Sequence, residues 1–190
     1  MSIIKDIKIW LSDLLCISNY DRKVERKFWK MRRIYEKGGY INRKRAKRME
    51  NKLLEKYQLH IPCTVKIGKN FQIRHPDCVG FGPTAEIGDN CKVYPFFNAM
   101  AAVTSDKELI HNHLRRHAKF GNDCILCAKA TVIGAVTIGD DVTIAAGALV
   151  TKDVPSHSVV KGVNQIRPKR PDEIPEKYKT AGLNRQIEQE

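Results

Sequence analysis

No run of about 18 consecutive apolar residues, the length a helix needs to cross a bilayer, occurs in this 190-residue chain. The N-terminus also lacks a small-residue cleavage site after an apolar stretch, so no export is expected and the cytoplasm is the expected compartment. Aromatic residues are scarce, at 7%. They do not interleave with the basic residues as a base-stacking platform, and no nucleic-acid motif accompanies them, so no nucleic-acid partner is expected. Without an export signal the six cysteines read as reduced thiols and not as a disulfide framework. Acidic residues are few as well, 21 against 34 basic ones, for a net charge of +13. What is present is globular in kind: 42% hydrophobic and 29% charged residues, in a length that suits one core with an appendage.

The positive charge is local. Residues 21–58 hold 15 Lys/Arg against 5 Asp/Glu, while both ends of the chain are balanced. Such a segment reads either as a solvated helical face or as a contact for an anionic lipid surface or glycan. Upstream, Ile3, Ile4, Ile7, Trp10, Leu11, Leu14 and Leu15 follow helical spacing and predict an amphipathic helix that packs on a partner subunit or lies on a membrane. Further helices are expected over 22–36, stopped by Gly38-Gly39, and over 42–57. Pro62 cannot continue a helix and pushes Ile61 toward an extended conformation, so the architecture should change there.

From Ile67 onward the dominant period is six. Phe120, Leu126, Val132, Ile138, Ile144 and Val150 recur without interruption, and Cys124, Ala130, Val136, Val142, Ala148 and Val154 follow four residues behind. An earlier block runs Ile67, Ile73, Phe81, Ile87, Val93, with a two-residue expansion before Phe81 and with Ala85 and Cys91 in the second column. A chain that turns a corner every six residues closes a triangular coil in three hexapeptides, and stacked coils form a prism filled by the large aliphatics. Small residues are expected at the corners, with Gly68, Gly82, Gly88, Gly121, Gly134 and Gly139 relieving crowding. The expected fold is therefore mainly β, a left-handed parallel β-helix of hexapeptide repeats. It occupies residues 61–167, after an N-terminal α-helical segment at 1–60 and before a C-terminal tail at 168–190.

The stretches IPCTVKIGKNFQIRHP (61–76), FGPTAEIGDNCKVY (81–94), RHAKFG (116–121) and TVIGAVTIGDDVTIAAGALVTKDVP (131–155) resemble the hexapeptide-repeat acyltransferases. Within these they resemble the serine acetyltransferase-like group, which includes surface-polysaccharide O-acetyltransferases. The resemblance implies acetyl-CoA as co-substrate and a homotrimer with active sites shared between subunits. It implies His75 as general base on an acceptor hydroxyl and His117 as a second histidine, with Arg116 toward an acceptor carboxylate. Ala128, Gly134 and Ala146 would line the coenzyme channel, and Lys152, Lys161 and Arg167 are candidates for its phosphates.

The departures bear on the acceptor. His60 stands where the aspartate partner of the base is expected, and Arg74 replaces an acidic residue used toward an amine. Asp77 or a backbone carbonyl is then the expected orienter of His75. The stretch from Ala99 to Arg116 is longer than the equivalent loop of serine acetyltransferases. These differences favour a surface-polysaccharide sugar over L-serine as acceptor, with contact to an anionic membrane surface a further expectation. His111, His113 and His117 sit in one loop, so no metal site is expected from them, although a carbonic-anhydrase-like lyase uses three histidines on the same prism. Cys124-x-x-Cys127 falls on repeat positions and reads as packing. A non-enzymatic basic scaffold is the remaining alternative.

Overall fold

The structure is a computed structural model that describes residues 19–102, 116–175 and 177–178 and the backbone of 109–110 and 113–114. The amphipathic segment predicted at 3–15 lies outside the described residues. The described residues begin with two helices, α1 (Asn19–Glu36) and α2 (Tyr40–Tyr57). Gly38 and Gly39 both adopt positive φ between them, which is why a glycine pair breaks the helical run here. None of the described helices is long and apolar enough to cross a membrane.

Beyond Leu59 the chain winds into a prism of short parallel strands. β1 (Lys66–Ile67), β4 (Glu86–Ile87), β9 (Lys119–Phe120) and β12 (Thr137–Ile138) stack as face 1. Face 2 stacks β2 (Gln72–Ile73), β5 (Lys92–Val93), β10 (Ile125–Leu126), β13 (Thr143–Ile144) and β15 (Ser158–Lys161), and closes with the antiparallel β16 (Gln165–Pro168). Face 3 stacks β3 (Gly80–Phe81), β6 (Asn98–Met100), β11 (Thr131–Ile133) and β14 (Leu149–Val150). The small antiparallel pair β7 (Leu109–Ile110) and β8 (His113–Leu114) is inserted between faces 3 and 1. This is the left-handed parallel β-helix that the six-residue period predicts.

The register follows the two apolar columns. Phe120 pairs with Ile138, Leu126 with Ile144 and Val132 with Val150, and every residue of both later columns is buried. The second column departs from expectation nearer the N-terminus, where Phe71 and Phe97 stand at corner positions predicted to be small, and both are buried. Their rings pack with Phe81 and Phe120 at centroid distances of 5.3–6.3 Å. Phe28 of α1 reaches Phe71 at 6.4 Å. Phe71 thus fills the junction between the first coil and its helical cap, where the later coils need only small corners.

Corner glycines serve the stacking. A Cβ on Gly121 would lie 2.7 Å from the Gly139 carbon and 2.4 Å from Asp140 Oδ1, and Gly68, Gly88 and Gly139 meet the next coil just as closely. Side chains bridge coils along the edge between faces 1 and 2, where Asn70 Nδ2 donates to Asn90 at 3.0 Å and Asn90 Nδ2 to Asp123 at 3.2 Å. The chain after β16 returns to this edge, with Lys169 Nζ on Asp141 at 2.6 Å and with Lys177 and Tyr178 on Asp123.

Helix α1 is fastened to the first coil by one face. Glu25 accepts the Ile73 amide at 2.9 Å, and Arg32 donates to the carbonyls of Cys63 and Val65 at 2.8 and 2.6 Å. Val24, Phe28 and Met31 are fully buried between these polar contacts. The cap therefore reaches the residues just before His75.

Candidate active site on two edges of the prism

His75 sits in the corner between β2 and β3, where face 2 turns into face 3. Paired strands set the local geometry: Ile73 pairs with Val93 and Phe81 with Ala99, so the two extra residues of this coil fall between Ile73 and Phe81. Regular corners place one residue in the left-handed region, as at Asn70, Asn90, Asp123 and Asp141 on one edge and Cys78, Phe96 and Lys129 on the next. His75, at φ 50°, belongs to neither series. It is an additional left-handed residue created by the expansion, a backbone state that costs roughly 1–3 kcal/mol at a non-glycine residue and clusters at functional sites. Its side chain is 57% exposed.

The orienter expected at Asp77 is elsewhere. Asp77 accepts a hydrogen bond from the Tyr20 hydroxyl at 3.3 Å, while His75 Nδ1 lies 3.3 Å from Oδ2 of Asp21, in the first turn of α1. Asp21 is 1% exposed. Arg74 turns its guanidinium to Gln72 Oε1 at 2.8 Å. His60, at the position of the absent aspartate, is exposed and bridges Gly80 through its backbone.

His117 occupies a different edge, between faces 3 and 1. Its Nδ1 is 2.7 Å from the Thr84 hydroxyl, which also accepts the Arg116 amide at 3.1 Å. The imidazole lies so close over Gly82 that a Cβ there would stand 1.8–2.5 Å from its ring atoms, so only glycine admits the ring. Burial lowers the His117 pKa, with the Arg116 charge adding to it, which holds the ring neutral near pH 7. The Arg116 residue is exposed beside it. His111 and His113 fall outside the residues whose side chains are described.

The remaining predicted positions divide between the same two edges. Ala128 and Ala146 follow β10 and β13, and Lys161 ends β15, on the edge of His75. Gly134, at φ 94°, and the exposed Lys152 follow β11 and β14, on the edge of His117. Arg167 is on neither edge: it lies in β16 and is held by Glu173 through two contacts at 2.7 and 2.9 Å, which occupies it structurally. Cys124 and Cys127 are free thiols, Cys124 buried in its column.

The bacterial transferase hexapeptide family (six repeats) matches residues 117–152. Over that stretch the chain carries hexapeptide repeats of the bacterial transferase type. A serine acetyltransferase of Bacillus pumilus is 38% identical over 97 residues, 51% of this chain and 42% of that protein. A crystal structure of Neisseria gonorrhoeae serine acetyltransferase in complex with serine superposes with a TM-score of 0.62 at 24% identity, covering 76% of this chain and 55% of that one. A serine acetyltransferase in complex with CoA superposes with a TM-score of 0.58 at 16% identity, covering 72% and 52%. The chain spans about half the length of these relatives, and the solved structures share its fold.

Sequence reasoning missed the partners of both histidines in this hexapeptide-repeat domain. Thr84 lies within the stretch 81–94, but nothing in that stretch links it to His117, 33 positions on. Asp21 and Glu25 had a weak signal, being two of the few acids in a basic segment and sharing the helix face of Val24 and Phe28.

Proposed function

We propose that this chain is an acetyl-CoA-dependent O-acetyltransferase. The observation that carries this reading is the exposed imidazole of His75, placed at the corner that two extra residues expand and backed by a buried carboxylate. His75 Nε2 takes the proton of an acceptor hydroxyl, and the oxygen attacks the thioester carbonyl. The carbon–sulfur bond then breaks, and the departing thiolate takes the proton back from the imidazolium. The products are an acetyl ester and free coenzyme A.

Two edges of one prism do not form one site, because a whole face lies between them. The Gly82 contact places the His117 ring at the level of the first coil, the level of His75. A threefold assembly of parallel prisms would set the His75 edge of one chain against the His117 edge of the next at that height. It would also bring Ala128, Ala146 and Lys161 opposite Gly134 and Lys152, as walls of a coenzyme channel. On this reading the functional unit is a homotrimer with three composite sites.

The relatives support L-serine as acceptor over the polysaccharide sugar that the sequence departures favour, and L-serine is the acceptor proposed here. Arg116, exposed beside His117, would meet its carboxylate. One observation favours the second reading, a sugar hydroxyl: Arg74 brings a cation to the corner where an acid would meet serine's ammonium. Acetyl-CoA consumption measured with serine, nucleotide sugars and capsular oligosaccharides decides between them. Turnover of serine with kcat/KM of about 10⁴ M⁻¹s⁻¹ or above is expected. Turnover of a glycan alone would replace serine by the second reading, and no consumption with any acceptor would contradict the enzyme.

A further inference from the structure

We infer that Asp21 is the positioning residue of His75, a carboxylate delivered to the base by the helical cap and not by the prism. The inference rests on the acetyltransferase reading for its catalytic meaning and on geometry for the pairing. Asp21 Oδ2 is 3.3 Å from His75 Nδ1 across 54 positions of sequence, and the carboxylate is almost completely buried while the imidazole is open to the edge. Burying a carboxylate is costly unless a charged or hydrogen-bonding partner compensates it. An imidazole whose Nδ1 faces that carboxylate has its Nε2 directed away from α1, toward the space an acceptor would enter.

The surrounding groups leave Asp21 this task. From α1, Glu25 is committed to the Ile73 amide at 2.9 Å, and Tyr20 donates to Asp77. Tyr57 of α2 packs edge-on to Tyr20 at 5.7 Å. On the corner itself Arg74 is turned to Gln72, and Asp77 is occupied by Tyr20. Burial raises the Glu25 pKa, opposed by the Ile73 amide and the Arg74 charge, with Asp21 itself contributing to the rise.

The consequence is a defined tautomer. A carboxylate at Nδ1 holds the proton on that nitrogen, leaves Nε2 bare to accept the acceptor's proton, and stabilises the imidazolium that results. Contacts of this kind are often long in the unliganded enzyme and shorten when substrate binds. The same contact makes α1 part of the active site: displacing the helix would release the base from its orienter.

Two measurements on the full-length chain test this. Nitrogen-15 spectra of the His75 ring, recorded where it is neutral, should show Nδ1 protonated and Nε2 bare in the unaltered protein, and lose that preference in Asp21→Asn. Steady-state kinetics should show kcat of Asp21→Asn reduced about 10²–10⁴-fold, the range of a mis-set general base, with KM for acetyl-CoA unchanged. An Nε2-protonated ring in the unaltered protein, or full kcat in Asp21→Asn, would overturn the inference. The spectra of the unaltered protein need neither a folded variant nor activity. A chain that transfers no acetyl group would therefore contradict the proposed function while the tautomer still decides the pairing.

Discussion

Replacing His75 by alanine is expected to lower acetyl transfer about 10²–10⁴-fold, the usual contribution of a general base, while coenzyme A binding and assembly persist. The side chain is largely exposed and outside the apolar columns, so its removal leaves the core intact. Its φ of 50° matters for the choice of variant. Asparagine tolerates the left-handed region better than alanine, so His75→Asn should reproduce the kinetic loss with less effect on stability. Steady-state rates and the melting shift with coenzyme A separate the two effects. Near-normal turnover by either variant would remove His75 as the base.

The second large effect is structural. Phe81→Ala should destabilise the chain by about 3–5 kcal/mol, the range for deleting a buried aromatic ring. Phe81 is 1% exposed and touches Phe71, Phe97 and Phe120, the cluster that joins the first coils to one another and, through Phe71, to α1. By contrast Ile144→Val, deep in the regular coils, removes one methylene and should cost about 0.5–1.5 kcal/mol. Denaturant midpoints at fixed protein concentration measure both. Equal effects would show that the aromatic junction has no special role.

The difference between these two residues shows what could be read in advance. Ile144 and its column are legible because the period of six is a local property that each coil repeats against its neighbours. Phe71 breaks the rule for corners because it answers to Phe28 of α1, a contact whose register no period encodes, and Phe97 packs on the other side of Phe81 from it. The same division runs through the site. His75 is legible because the expansion before Phe81 displaces it from the stack. Its partner is not, since Asp21 lies far back in the sequence and meets the ring only once α1 is laid on the first coil through Glu25, Phe28 and Arg32. Asp77, near in sequence, was the natural expectation, but Tyr20 claims it. The candidate coenzyme positions come one by one from the resemblance, yet the division of all but Arg167 between two edges follows only from the triangular winding.

That division makes the strongest demand on the account, because it requires sites built from two chains. Inactive His75→Ala and inactive His117→Ala proteins, unfolded together and reassembled at equal concentration, test it directly. A site drawing His75 from one chain and His117 from the next is intact wherever the second variant supplies the first edge and the first variant supplies the second. Random assembly of symmetric trimers should therefore restore about one quarter of the sites. Recovery of acetyl transfer toward that level is the predicted result. Two variants that reassemble into mixed oligomers and remain as inactive as either alone would contradict a site shared between subunits.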